Sequence, residues 1–441
     1  MRILLIHLSP PVEAPYPLGL ALVAAALAPR RHELLVAETA RSSPRIIAAQ
    51  AAAGTVDLAL VSIPRGCEEL GCRMMGELIE ARVPVAVSGP DVVLRSRAWA
   101  RPPARSWAIV GEGAIHSWGA LPIWSEATVV DLVDALTSHG DASAIPGAFS
   151  GEGELRLRPP DIELWPRLVA DRTLFPVEDY CGGMLAHGYP YTALLSSRGC
   201  GLGCAYCPVP STPTGRFVGR PAGSVAEEML RLHRDHGVRS IHIEDDRFAA
   251  DAGRVSLFSS ILRKQGAPVA WELPNGIRVE DAQNEALLEQ MASAGCVALT
   301  LSVEAMHSGS ATDAAPWSEG IERVETAVRK CKRAGIKTEA YFIIGLPGNT
   351  ESDLRRMLRE ARRLPLDGVL VSVFDRVPGS LIPPADDSEL LPARLAAIRR
   401  SSMIRCYSHP RRLALLFAEL IKHPGRIAVL GRKMRTLYPS T

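Results

Sequence analysis

Thr192-Ala193-Leu194-Leu195-Ser196, followed after Ser197 by Arg198-Gly199-Cys200-Gly201-Leu202-Gly203-Cys204-Ala205-Tyr206-Cys207-Pro208, is the stretch on which the fold turns. The first five residues read as a buried strand, and the glycines that follow give a loop able to wrap around a ligand. Thiolates bind iron-sulfur clusters, and three at this spacing (Cys200, Cys204 and Cys207) supply three corners of a cubane, leaving the fourth iron open. A structural zinc site is the alternative. It would want a fourth Cys or His nearby, and no second Cys-x-x-Cys follows.

Outward from this loop the chain alternates. Strands are expected at Ser240 to Glu244, Val269 to Pro274, Ala298 to Val303, Lys337 to Ile344 and Gly368 to Phe374, with helices at 224–236, 254–265, 284–294, 318–334 and 350–363. Six strands with intervening helices make most of a parallel α/β barrel, whose chemistry belongs at the carboxyl ends of its strands. Alternation also fills the N-terminal third, with strands at 2–8, 32–37, 57–63, 83–88 and 107–110 and helices at 20–28, 43–53 and 68–81. This predicts a Rossmann-like doubly wound parallel sheet with its ligand beyond the strand ends. The predicted organisation is α/β throughout: a front domain over 1–140, a connector of little regular structure over 141–188, a partial (β/α)6 barrel over 189–378 and a helical C-terminal extension over 379–441. Periodicity weakens from about Ala114 to Gly188, and little regular structure is expected over that whole stretch, which includes the connector.

The Cys200, Cys204, Tyr206, Cys207 pattern at the first strand of such a barrel resembles the radical S-adenosylmethionine (SAM) superfamily. The resemblance implies a 4Fe-4S cluster whose open iron chelates the amino and carboxylate groups of SAM, and an electron that splits the sulfonium to a 5'-deoxyadenosyl radical. By the same resemblance Tyr206 packs the cluster loop near adenine, core packing being the other reading of that ring. Asp245 and Asp246, in Ile243-Glu244-Asp245-Asp246-Arg247-Phe248, resemble the segment that meets the SAM amino group. Arg278, in Asn275-Gly276-Ile277-Arg278, corresponds to the segment beside ribose and carboxylate, and Ser302 with Glu304 supplies polar atoms at equivalent height. Ile343, Gly345 and Pro347, in Tyr341-Phe342-Ile343-Ile344-Gly345-Leu346-Pro347-Gly348, resemble the motif flanking adenine. Each segment alone also fits an ordinary turn; their order and strand-end positions make the case.

The front domain resembles the cobalamin-binding domain that precedes the barrel in one radical SAM class. The residues that carry this are Pro10, Pro11, Leu18 and Gly19 after the first strand, Ser88, Gly89 and Pro90 after the fourth, and Gly111, Glu112 and Gly113 after the fifth; the resemblance implies that the loop from Ser62 through Arg65 to Cys67, after the third, passes under the corrin. A nucleotide-binding domain is the rival, but the G-x-G-x-x-G fingerprint is missing. The D-x-H-x-x-G segment that gives cobalt an axial histidine elsewhere is absent too, so cobalt is expected without a protein imidazole. Arg65 would then stand near the lower axial position, favouring the low-valent nucleophilic state; pairing with Glu68 or Glu69 is the alternative. His7 reads as a strand histidine turned towards packing.

Composition bounds the partners. The 441 residues are 47% hydrophobic and 22% charged, and 50 Lys+Arg against 48 Asp+Glu leave a net charge of +2. No overall field argues for nucleic acid or an anionic membrane. The longest apolar run, Leu18 to Ala28, falls short of the roughly 20 residues a membrane span needs. With nine cysteines and no signal-peptide core, the expectation is a cytoplasmic protein without a disulfide framework. A monomer is expected, with a small-molecule substrate and an external electron donor such as flavodoxin or ferredoxin.

The resemblance implies a C-methyltransferase: a methyl group passes from SAM through methylcobalamin to a carbon of a small-molecule or natural-product substrate activated by the 5'-deoxyadenosyl radical. Cyclisation, rearrangement or oxidation by the same parts, and a non-catalytic cobalamin sensor, are the alternatives. RNA methylthiolation fits poorly, because the front domain lacks a cysteine triad of its own.

Overall fold

The computed structural model describes residues 1–9, 16–64, 66–100, 105–110, 124–151, 154–158, 161, 163–180, 188, 190–207, 209, 216–304, 317–347, 349–374, 382 and 391–422. Two six-stranded sheets organise them. The front sheet contains β1 (Arg2–His7), β2 (Glu33–Glu38), β3 (Leu58–Ser62), β4 (Val85–Ser88), β5 (Ser106–Ile109) and β6 (Ala148–Phe149), in the order β2-β1-β3-β4-β5-β6. The first five are parallel, and β6 runs antiparallel to β5. Because β2 lies on one side of β1 and β3 on the other, the winding reverses between β1 and β3, opening a crevice at their carboxyl ends. His7 and Ser62 face each other in register there.

The β1 side chains alternate between two cores, as a strand period of two requires. Ile3 and Leu5 join the core under α1 (Leu18–Leu27), whereas Leu4, Ile6 and Leu8 join the one under α2 (Pro44–Ala53) and α3 (Glu68–Glu80). Short helices α4 (Pro90–Leu94) and α5 (Ser96–Trp99) follow β4. Gly89 at that junction is dictated by packing: a Cβ there would sit 2.1 Å from the Ile63 carbonyl oxygen.

One expectation needs correction. Within the segment read as irregular, Glu126–Thr137 is a helix, α6, started by Ser125, whose hydroxyl accepts from the Thr128 amide. The β-branched residues Thr128, Val129, Val130 and Val133 are weak helix formers, and burial of Val129, Leu132 and Val133 overrides that propensity. The connector also contributes to the core, through Trp165, Leu168, Phe175, Val177 and Tyr180 in the same apolar cluster as α1 and both sheets.

The second sheet holds β7 (Tyr191–Leu194), β10 (Ser240–Ile243), β11 (Ala270–Arg278), β12 (Cys296–Glu304), β13 (Lys337–Ile344) and β14 (Gly368–Val373), in the order β14-β13-β12-β11-β10-β7 and all parallel. Between β7 and β10 the short strands β8 (Ser197–Arg198) and β9 (Val218–Gly219) pair antiparallel. Helices α7 (Ala222–His236), α8 (Ala252–Lys264), α9 (Glu285–Ser293), α10 (Trp317–Arg333) and α11 (Glu351–Arg363) connect the strands. Each lies within about two residues of its predicted position.

The tail forms α12 (Pro392–Tyr407) and α13 (Pro410–Lys422). Arg412, 3% exposed, donates to the carbonyls of Ala361, Leu364 and Leu366 and so covers the C-terminal end of α11. Among the described residues, no helix is long and apolar enough to cross a membrane.

Candidate functional site

The cysteine loop leaves β7 through a neck. Ser197 pairs with Gly219 and Arg198 with Val218, so the chain from 199 to 217 is closed at its base by the β8-β9 ribbon. Gly199 and Gly201 flank Cys200, both with φ of +74°, a left-handed conformation in which a side chain is strained. Cys200, Cys204 and Cys207 are half-buried and outside any disulfide, and the Cys207 amide donates to the Cys204 carbonyl at 3.1 Å.

Burial pushes the Cys200 thiol up to about 11, with the Asp246 carboxylate adding to the rise. Without metal it is therefore a thiol at neutral pH, and loading it as a ligand releases a proton. Among the described residues no three His, Cys, Asp or Glu side chains are already drawn together as a metal site. The donor set nevertheless fits a cluster: three accessible thiols on a glycine-hinged loop with a fixed neck.

The end of β10 holds this loop from beneath. Asp245, 1% exposed, accepts from the Ser196 and Ser197 amides at 2.6 and 3.0 Å and from both serine hydroxyls, with the Arg254 guanidinium 3.8 Å away. That carboxylate ties the end of β10 to the chain leaving β7 and so positions the base of the loop. Its neighbour Asp246 accepts from the Gly199 amide at 3.1 Å, beside the first cysteine, and Arg247 donates to the Cys200 carbonyl at 3.4 Å. Successive side chains here diverge, one beneath the loop and one alongside it.

Further along the strand ends, Pro274, Asn275 and Gly276 fall in a register shift of β11 against β12. The bulge lets Asn275 Nδ2 donate to Glu244 at 3.0 Å, and Tyr341 donates to the Pro274 carbonyl at 2.7 Å. Arg278 pairs with Glu280 at 2.9 Å, and Ser302 Oγ lies 3.0 Å from where a Gly276 Cβ would stand. Glu304 ends β12; its side chain lies outside the described set. Ile343 and Pro347 are half-buried, as is Tyr206. Gly345 has φ of +83°, and a Cβ there would meet Leu395 of α12 at 2.6 Å, so the tail helix accounts for that glycine.

A buried polar group passed over in the sequence lies behind these ends. His242 has Glu272 at 3.6 Å and Glu244 at 3.8 Å, with the Tyr191 ring edge-on at 4.5 Å. His242, Glu244 and Glu272 are each at most 7% exposed. Period-two alternation from the predicted strand Ser240 to Glu244 would have placed His242 and Glu244 on one face.

In the front sheet, Ser62 and Ser88 are buried at their strand ends. Ser62 Oγ lies 3.5 Å from the Trp124 indole nitrogen, and Ser88 Oγ donates to the Ile109 carbonyl at 3.2 Å. Leu18 and Gly19 are buried at the start of α1, and Pro90 opens α4. Pro10, Pro11, Arg65, Gly111, Glu112 and Gly113 lie outside the described residues.

His7, 1% exposed, has no hydrogen-bond partner on either ring nitrogen among the described residues, and burial lowers its pKa to about 4. It is neutral at pH 7. Since the folded value lies below the unfolded 6.5, the stability present above pH 6.5 is lost as pH falls through about 4. The loss is roughly 3 kcal/mol. Chemical denaturation of His7→Phe at pH 7 and near pH 4 should show that much less acid destabilisation than wild type; an unchanged pH dependence would contradict it.

Buried ion pairs tie the neck of the cysteine loop to α6, and the connector to α7. Arg198 donates twice to Glu126 at the start of α6, at 2.9 and 2.7 Å, and its guanidinium lies 3.9 Å over the Trp165 ring. Arg220 and Arg172 meet Glu228 of α7 at 2.7 and 3.5 Å, and Arg172 covers the Tyr16 ring at 4.4 Å.

Residues 194–361 match the family model of the radical SAM superfamily, and this stretch is a radical SAM domain. Its relatives include methyltransferases. The chain is 25% identical over 311 residues to a Pyrococcus horikoshii protein described as the uncharacterized methyltransferase PH0819, covering 68% of this chain and 62% of that one. Over 181 residues it is 26% identical to the cytidylyl-2-hydroxyethylphosphonate methyltransferase of Streptomyces wedmorensis, covering 39% of this chain and 33% of the relative. The matches therefore span less than two thirds of either relative. In fold, the chain is similar to the radical SAM methyltransferase TsrM of Kitasatospora setae, solved with tryptophan substrate and a SAM analogue. The TM-score is 0.68 at 18% identity, over 86% of this chain and 74% of that one. A second TsrM structure, with cobalamin and a [4Fe-4S] cluster bound, gives 0.66 at 17% identity, over 86% and 73%.

Proposed function

We propose that this protein is a cobalamin-dependent radical SAM methyltransferase that methylates a carbon of a small molecule. The observation that carries the reading is the three-cysteine loop, anchored at the carboxyl end of β7 by Asp245 and Asp246 and joined to α6 of the front domain by the Arg198–Glu126 pair. The second sheet is read as an incomplete barrel over about 189–378, the front sheet as a Rossmann-like cobalamin-binding domain. The methyltransferase relatives, and the cobalamin, cluster and SAM analogue bound by the fold neighbour, support that choice.

When bound, the cluster supplies an electron to the SAM sulfonium and the corrinoid supplies methyl-transfer chemistry. The protein does the holding. Cys200, Cys204 and Cys207 would ligate three irons, leaving one for SAM. Asp246 and Arg247 hold the backbone on either side of Cys200, and Asn275 is pinned to Glu244 at the neighbouring strand end. The β1/β3 crevice would take the corrinoid, with Ser62 and Ser88 at its floor. Fixing both groups by protein contacts lowers the entropic part of the barrier.

Anaerobic reconstitution with iron, sulfide and a corrinoid, followed by methyl-labelled SAM, a reductant and candidate substrates, tests the reading. Label in a carbon-bound methyl group of product is expected. Product lacking an added methylene unit, formed with SAM cleavage, would contradict it in favour of cyclisation, rearrangement or oxidation.

A further inference from the structure

Three consecutive residues connect the front sheet to the cysteine loop. Trp124, fully buried, directs its indole nitrogen to Ser62 at the end of β3. Ser125 caps α6. Glu126, the first residue of that helix, grips Arg198 in a two-pronged pair, with both side chains at most 4% exposed. Arg198 in turn sits in the loop's neck, two residues before Cys200, its guanidinium stacked on Trp165.

Burying such a pair is costly, and apolar side chains of similar volume would serve stability as well or better. A guanidinium forked onto a carboxylate fixes distance and angle together, which apolar packing does not. The carboxylate also lies at a helix N-terminus, where the helix dipole favours it.

We infer that Glu126 and Arg198 are positioning residues that register the cluster loop against the end of β3, so that occupancy of the front-sheet crevice is felt at the cluster. The inference rests on the proposed function for the identity of the two bound groups. Loss of register leaves both cofactors bound and wastes SAM: cleavage continues while methyl transfer drops.

The test compares reconstituted wild type with Glu126→Gln, Arg198→Lys and the double variant Glu126→Leu/Arg198→Met. The last keeps the site uncharged and filled should a single change prevent folding. Two quantities are read: labelled product per SAM cleaved, and the electron paramagnetic resonance spectrum of the reduced cluster with and without hydroxocobalamin. Wild type should show a corrinoid-dependent change in the spectrum. The variants should retain iron and corrinoid, lose that change, and fall roughly 10- to 100-fold in product per SAM cleaved. Folded, loaded variants with the wild-type ratio and spectral response would make the pair merely structural and overturn the inference. A wild type that shows the spectral response but transfers no methyl would overturn the proposed function alone. One that shows no response would overturn the inference, whatever it methylates.

Discussion

Replacing Cys200, Cys204 or Cys207 by Ala is expected to abolish the visible absorbance of the reconstituted protein, strip most of its iron and drop SAM cleavage to the level of a protein-free control. Each thiol would supply one of only three protein ligands, and a cluster held by two has lost a corner of its binding site. The fold should hardly notice. All three lie half-buried on a loop whose neck is fixed by the Ser197–Gly219 and Arg198–Val218 pairings, so the apoproteins should unfold within about 0.5 kcal/mol of wild type. Iron analysis and chemical denaturation of the same preparations separate the two effects. Retention of a full cluster by any single variant would contradict the ligand assignment.

Asp245→Ala should do the reverse, damaging the fold first and the chemistry as a consequence. Two backbone amides and two hydroxyls donate to this carboxylate, with the Arg254 guanidinium close by and the group almost sealed from water. Removing it strands those donors in a dry environment and takes the nearby counter-charge from Arg254, which keeps its bonds to Ser196 and Phe248. The expected cost is about 3–5 kcal/mol. Asp245→Asn keeps one acceptor oxygen and should cost about 1–3 kcal/mol. Denaturant unfolding of the two apoproteins measures both; an alanine variant as stable as wild type would mean that the carboxylate does not tie β10 to β7.

These two sites differ in how far they could be read in the chain. The cysteines announce themselves by spacing, because thiols this close on a glycine-rich loop have few uses. Asp245 and Asp246 are indistinguishable as neighbours in sequence, and only the fold separates the one turned under the loop from the one beside Gly199. The strand Lys337–Ile344 and the helices after it were legible because their apolar periods are clean. Helix α6 was not, since its valines and threonine suggest strand or loop until the surrounding core is known. Arg198 and Glu126 are 72 residues apart, and no local pattern joins them. Gly89 and Gly345 invite a ligand-based reading, and only the fold shows that the backbone of Ile63 and the side chain of Leu395 also require a glycine at each.

Three thiolates holding an iron-sulfur cube with one corner open to SAM underlie the proposed chemistry. The most direct measurement is electron-nuclear double resonance on the anaerobically reconstituted, reduced protein with SAM labelled at its amino nitrogen and carboxylate oxygen. Hyperfine coupling of both labels to the cluster is the predicted result; a cube without such coupling, or zinc tetrahedrally bound in its place, would contradict it.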